Sequence, residues 1–311
     1  MRILVTGASG FVGSKLCEKL AEVGDEVVGI AREEIDIRGV ELIAYDLRKG
    51  IPKELAKRRF GVIYHLAAVL EESSPRLIED NLALTRAALK IYRLCKARQL
   101  IFLSSIGVLG EASEALTELA EYRPETRYEL SKALSEILLK QSEANYTIVR
   151  CPPILGLNST WKGIFEAAER GFPLLGQGKN FFHLAYLDDV IDFLLLLKGN
   201  EKAFREVFHL ACKEPLRYRE FYRILIRELG SRPSFFPLWL AKFLFACYEF
   251  GCFLTRRQPK FIYTRAALRR LTRNRLVSIR RAETVLGFKP KFSMEAALVK
   301  VLREYKTTRK K

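Results

Sequence analysis

The sequence predicts an α/β fold in which a doubly wound parallel sheet is joined to a smaller C-terminal lobe. Three features of the 311 residues carry that prediction. Short apolar, β-rich runs alternate with segments of helical spacing through the first half. A glycine-rich turn joins the first run to the first helix. The alternation loosens after Pro152 and Pro153, where a different organisation begins.

Taken in order, "RILVTGA" reads as the first strand, and "FVGSKLCEKLAEVG" as a helix stopped at Gly24. "EVVGIAR" is the second strand. "GVIYHLAAV" and "QLIFLSSIGV" are two more, separated by the helical "EDNLALTRAALKIYRLCKA". "YELSKALSEILLKQSEA" follows as an amphipathic helix and "YTIVRCP" as a further strand. Strands this continuously apolar, with helices between them, require a sheet covered on both faces. In the second half "LDDVIDFLLLLKG" reads as a helix, "EVFHLAC" as a strand, and "RYREFYRILIRELG" as a helix ended by Gly230. "SMEAALVKVLREYK" closes the chain as another helix. No linker, repeat or low-complexity segment divides the chain. Residues 1–152 are expected to form the sheet domain, and 153–311 a lobe interleaved with it rather than an independent domain.

Hydrophobic residues make up 49% of the chain, enough for a large globular core. The six cysteines lack a C-x-x-C spacing, and with three histidines they form no metal pattern. Scattered cysteines and an amino terminus that enters a strand directly lead to the expectation of a reducing, cytoplasmic location. The formal net charge is +17. Much of it falls between Glu249 and Glu283, where ten basic residues from Arg256 to Arg281, Lys260 and Arg270 among them, meet no acid; "KTTRKK" adds more at the end. Without a nucleic-acid-binding motif this reads first as a solvated basic face, so no nucleic-acid partner is expected. A patch for anionic lipid or a phosphorylated ligand is the other reading.

"TGASGFVG" places Gly7, Gly10 and Gly13 between the first strand and the first helix. Glycines there allow close approach of backbone to a pyrophosphate, and the helix opened by Phe11 and Val12 offers free N–H groups and its positive end. The second strand ends at Ala31 and Arg32, nineteen residues past Gly13. A cation at that point suits a ribose 2′-phosphate, so NADP is favoured over NAD. Glu33 and Glu34 follow directly and argue the other way.

"TGASGFVG", "YDLRKG", "YHLAA", "DNLALT", "FLSSIGVLG" and "YELSK" occur in an order and at spacings that resemble the extended short-chain dehydrogenase/reductase family, which includes the NAD-dependent epimerases and dehydratases. "IVRCPPILG", "YLDDV", "VFHLACKEPLRYREF" and "LGFKPKFSMEAAL" extend the likeness over nearly the whole chain. The second half is most similar to the 3β-hydroxysteroid and sterol-4-carboxylate dehydrogenase branch. The resemblance implies a Rossmann-type sheet whose C-terminal lobe binds a small-molecule substrate. It also implies roles: Asp46 and Leu47 beside the adenine, Ala67 on the adenine–ribose side, and Asn81 as a support of the active site. Ser105, rather than Ser104, aligns with the catalytic serine. Tyr128 and Lys132 align with the catalytic pair, which also touches the cofactor.

Four residues apart on a helix, Tyr128 and Lys132 share a face. A free tyrosine has a pKa of about 10 and is a poor base near neutrality, but an adjacent ammonium favours the phenolate. The implied reaction is hydride transfer between a nicotinamide cofactor and a secondary alcohol or ketone, with Tyr128 exchanging the hydroxyl proton and Ser105 orienting the substrate oxygen. Nucleotide-sugar members of the family usually carry an arginine before "DDV", and Phe182 stands there instead. That counts against a nucleotide sugar, and the resemblance to the hydroxysteroid branch implies an apolar, steroid- or isoprenoid-like substrate. A nucleotide-sugar epimerase or dehydratase holding NAD tightly is the alternative, and a non-catalytic NADP-binding regulator the third reading.

"FFPLWLAKFLFACYEFGCFL", from Phe235 to Leu254, has three readings. The first is core and pocket wall; the second is an interfacial helix, giving peripheral membrane contact through 235–281; the third is a homodimer interface. A spanning helix is not expected, because Lys242 and Glu249 would sit in hydrocarbon.

Overall fold

The computed structural model describes residues 1–257 and 264–309. Seven strands form one sheet: β1 (Arg2–Thr6), β2 (Glu26–Ala31), β3 (Val40–Ala44), β4 (Val62–His65), β5 (Gln99–Ser105), β6 (Tyr146–Cys151) and β7 (Glu206–His209). Their order is β7-β6-β5-β4-β1-β2-β3, and every neighbouring pair is parallel. Strand order reverses between β1 and β4, which opens a crevice at their carboxyl ends.

Alternate residues of each strand supply two cores. Ile3, Val5, Val27, Tyr64, Ile101 and Val149 face helices α1 (Phe11–Glu22) and α5 (Leu187–Leu197). Leu4, Val28, Ile63, Phe102 and Ile148 face α2 (Leu77–Leu94) and α3 (Arg127–Lys140) on the other side. The parallel sheet buried on both faces is the arrangement that the apolar runs require. β3 is an edge strand that the apolar pattern does not announce: Val40, Leu42 and Ile43 are only half-buried and alternate with exposed Glu41 and Ala44.

After β6 the chain forms α4 (Ser159–Glu169), and later α6 (Tyr218–Leu229), α7 (Leu238–Leu254), α8 (Arg265–Thr272), α9 (Arg280–Leu286) and α10 (Met294–Arg309). Trp161, Phe165, Phe221, Leu225, Leu298 and Leu302 from α4, α6 and α10 make the core of the second lobe. Gly230 ends α6 in the left-handed conformation, as its position in the sequence suggests. Three short two-stranded pairs complete this lobe, one joining Phe181–Phe182 to Leu216–Arg217. The chain crosses between layers more than once, since α5 and β7 lie in the sheet layers although they come after the first lobe residues.

Two expectations from the second half change. The stretch from Phe235 to Leu254 is largely surface rather than core, because only one side of α7 is covered. The basic run is also less free than its sequence implies. Arg265 pairs with Glu249, Arg273 with Glu111 and Glu125, Arg275 with Glu125 and Glu129, and Arg281 with Glu206. The acids missing locally are supplied by distant parts of the fold. Lys260 and the last two lysines lie outside the described residues, as does the side chain of Arg270.

Candidate active site

The parallel register brings the sequence-derived site residues to one edge of the sheet. Gly7 follows β1, Arg32 follows β2, Asp46 follows β3 and Ala67 follows β4, while Ser105 ends β5. Thr6 is level with both Ile30 and His65, and His65 is level with Phe102.

Gly7 and Gly13 are required by contact. At Gly7 φ is +72°, and a Cβ there would lie 2.7 Å from the backbone nitrogen of Ala67. A Cβ on Gly13 would lie 2.1 Å from the Gly7 carbonyl oxygen, so the turn closes only without side chains. Gly10 N–H donates to the Gly7 carbonyl at 2.9 Å and stands as the N-cap of α1 without a capping side chain. The first-turn N–H groups of Phe11, Val12 and Gly13 have no partner within the helix, and that turn carries no acid. These donors suit a dinucleotide pyrophosphate. Phe11 also reaches the second lobe: its ring fills the space where a Cβ on Gly156 would be.

At the adenine side, Asp46 caps the turn at Leu47–Lys49 by accepting from Arg48 N–H, and its carboxylate is gripped by the Arg48 guanidinium at 2.6 Å. That hydrogen bond holds the Asp46 carboxyl below its ordinary range. Arg48 also reaches Asp80 on α2. Leu47 is buried in the sheet core. Arg32, Glu33 and Glu34 are all exposed, so the two acids that compete with Arg32 have the same access to solvent.

Helix α3 starts with a capping box, Thr126 accepting from Glu129 N–H and Glu129 accepting from Thr126 N–H. One turn later the Lys132 ammonium donates to the Leu103 carbonyl at 2.8 Å, sits 4.5 Å over the Phe102 ring, and lies 5.9 Å from the Tyr128 ring. Burial lowers the Lys132 pKa to about 8, with Glu136 acting in the opposite direction. Tyr128 is partly exposed at the same face.

The two serines differ sharply. Ser104 is buried and donates to Glu136 Oε1 at 2.5 Å. Ser105 is partly exposed at the end of β5, and its Oγ accepts from Gly107 N–H at 3.1 Å. Asn81 on α2 joins the segment after β4 to α3: Val69 N–H donates to its Oδ1, and its amide donates to the Val69 carbonyl and to Ser131 Oγ. Ser131 in turn donates to the Tyr128 carbonyl at 2.7 Å.

Several participants lack a motif of their own. His65 bonds Thr6 through Nδ1, stacks on Phe102, and is held neutral by burial and by Lys132, its pKa pushed down to about 3. Glu136 and Arg150 form a fully buried ion pair at 2.7 Å, joined by the Tyr122 hydroxyl. Two signals point to that pair in the sequence. Arg150 stands alone in the apolar strand "YTIVRCP", and a charge there needs a partner. Glu136 lies one helical turn beyond Lys132 on the same face.

The family model described as "NAD dependent epimerase/dehydratase family" matches residues 3–211. The chain is 25% identical to sterol-4-alpha-carboxylate 3-dehydrogenase, decarboxylating, of Dictyostelium discoideum, over 73% of this chain and 76% of that protein. It is 27% identical to UDP-glucose 4-epimerase of Vibrio cholerae, over 93% of this chain and 90% of the other. Among solved structures, UDP-glucuronic acid 4-epimerase from Bacillus cereus in complex with NAD superposes with a TM-score of 0.78 at 21% identity, covering 99% of each chain. The glycine turn under a parallel sheet, the match across two thirds of the chain and these relatives lead to one conclusion: the chain belongs to the NAD dependent epimerase/dehydratase family and is an enzyme of the extended short-chain dehydrogenase/reductase type.

Proposed function

We propose that this enzyme interconverts a secondary alcohol and a ketone on an apolar substrate, with NADP preferred over NAD. The observation that carries the reading is the placement of Tyr128 and Lys132 on one face of α3, beside the carboxyl end of β5 where Ser105 lies. A bound nicotinamide dinucleotide would accept or supply the hydride. Gly7, Gly10, Phe11, Val12 and Gly13 would hold its pyrophosphate, Asp46, Leu47 and Ala67 its adenosine, Arg32 its 2′-phosphate, and Lys132 its nicotinamide ribose. Ser105 would orient the substrate oxygen. Tyr128 takes the hydroxyl proton in oxidation and returns it to the developing alkoxide in reduction. The Lys132 charge stabilises the phenolate in between.

Phe182 supports the apolar substrate, because its ring packs edge-on against Phe221 at 4.9 Å in an aromatic cluster rather than presenting a cation. The nucleotide-sugar reading is favoured by a different observation. Arg217 lies opposite Phe181 in the short strand pair and stacks over its ring at 4.7 Å, which brings a guanidinium close to the position that lacks one.

Two measurements separate the readings. Tyr128→Phe should reduce turnover at least about a thousandfold while cofactor affinity stays within about threefold of the parent. Retained activity in that variant refutes the mechanism. Calorimetric titration after removal of bound nucleotide should show reversible binding with preference for NADP(H), lost by about tenfold in Arg32→Ala. NAD that copurifies and resists removal would instead place the epimerase first.

A further inference from the structure

Helix α7 is the largest feature that the reaction leaves unused. Its inner side is covered: Leu238, Ala241 and Phe245 pack with Leu175, Leu268 and Leu271. Trp239, Phe243, Ala246, Phe250 and Phe253 recur at steps of four, three, four and three residues, so they form one stripe along the opposite side. Trp239 is 71% exposed, Phe250 61% and Phe253 77%. Leu254 and Phe235 extend the apolar surface at either end, both exposed. From Trp239 to Phe253 the stripe runs about 21 Å at about 1.5 Å per residue. A contiguous strip of this kind on a protein surface marks an interaction site.

Its chemistry also has a sign. Lys242, Arg256 and Arg257 flank the stripe and are exposed, and among the described residues no carboxylate pairs with any of them. The helix has a single acid, Glu249, and that is bound to Arg265. No helix among the described residues is long and apolar enough to cross a membrane. A surface with large aromatics along its centre and unpaired cations beside it is complementary to an anionic bilayer surface. A second copy fits less well, since a two-fold contact through the stripe brings Lys242, Arg256 and Arg257 of one copy toward the same cations of the other.

We propose that α7 seats the protein flat on an anionic bilayer. Trp239, Phe243, Phe250, Phe253 and Leu254 enter the acyl boundary, while Lys242, Arg256 and Arg257 meet lipid phosphates. This does not depend on the reaction assigned above.

The test is co-sedimentation of the full chain with vesicles of phosphatidylcholine alone or mixed with phosphatidylglycerol. Binding is expected on the anionic vesicles at low salt, falling about tenfold or more near 0.5 M salt. Phe243→Ser with Phe253→Ser should lose at least about tenfold of that binding. Because both side chains are exposed, cofactor titration and thermal unfolding of the variant should match the parent, which shows that it is folded. Absence of binding to anionic vesicles at low salt overturns the proposal, and so does equal binding by the variant. A parent that forms stable dimers, is split by the two substitutions and does not bind vesicles assigns the face to a second copy and overturns it as well.

Discussion

Lys132 is an ammonium placed where its charge is costly. It is buried, and burial lowers its pKa from the ordinary 10.5 to about 8. The folded chain therefore holds this proton less tightly than the unfolded chain does. Below about pH 8 the penalty is present in full, on the order of 3 kcal/mol for a shift of this size. It falls as pH rises from 8 through 10.5, above which both states are neutral. Lys132→Met should thus stabilise the cofactor-free protein at pH 7 by up to that order, while abolishing turnover. The gain should shrink between pH 8 and 10.5 in thermal or denaturant unfolding. A variant less stable than the parent at pH 7 would show that the Leu103 hydrogen bond outweighs the buried charge. The same neighbourhood explains which residues were legible before the structure. Tyr128 and Lys132 are legible through the motifs of the resemblance, and its alignment selects Ser105 over Ser104, but the physical difference between the two serines is not visible in the sequence. Their separation depends on Glu136 and Arg150, whose pairing joins a helix to a strand.

The strand–turn–helix unit at β1 and α1 was legible because one short segment contains all the parts of its geometry. Glycines are needed where backbone meets backbone, and the contacts are severe: a Cβ on Gly13 would meet the Gly7 carbonyl at 2.1 Å, and one on Gly10 would approach the same oxygen at 3.1 Å. The substitutions should therefore be graded. Gly13→Ala forces the turn to move, costing about 1–3 kcal/mol and weakening cofactor binding at least about tenfold; Gly10→Ala should cost markedly less. Calorimetric titration with NADP(H) and NAD(H), alongside thermal unfolding, reads both effects. Equal losses in the two variants would contradict the close packing of Gly13 on Gly7. Other elements were hidden for physical reasons. β3 is half-exposed at the sheet edge, so its alternation is too weak to separate from a loop. α7 was visible as an apolar segment, but apolarity does not state whether protein, lipid or a second chain covers it. Core is the wrong cover for much of it, because Trp239 and Phe253 are exposed.

Across the whole molecule, the second lobe helps to position α3, the helix that carries Tyr128 and Lys132. The segment 274–278 runs along 112–118, with hydrogen bonds from Ala112 N–H to the Asn274 carbonyl and from Ser278 N–H to the Leu116 carbonyl. Arg275 from this segment pairs with Glu125 and with fully buried Glu129, the residue next to Tyr128. Glu129 uses its other carboxylate oxygen to cap α3 through the N–H groups of Glu125 and Thr126. Neither end of this link reveals the other in the sequence, because 146 residues separate Arg275 from Glu129. It becomes visible only when the arginine-rich run is folded against the first lobe. Removing one partner of a buried pair leaves the other charge uncompensated, so Arg275→Met should destabilise by about 3 kcal/mol or more. The double variant Arg275→Met, Glu129→Gln removes both charges and keeps an amide at the cap. It should recover a substantial part of the loss, giving a favourable coupling in a double-mutant cycle measured by urea unfolding. Additive losses would show that the two side chains contribute separately. Because Glu129 is sealed from solvent, the coupling should survive high salt, whereas that of the more exposed Arg273–Glu111 pair should be screened. If the pair also holds the start of α3, kcat should fall in Arg275→Met with cofactor affinity nearly unchanged, since the glycine turn proposed to hold the pyrophosphate opens α1 rather than α3.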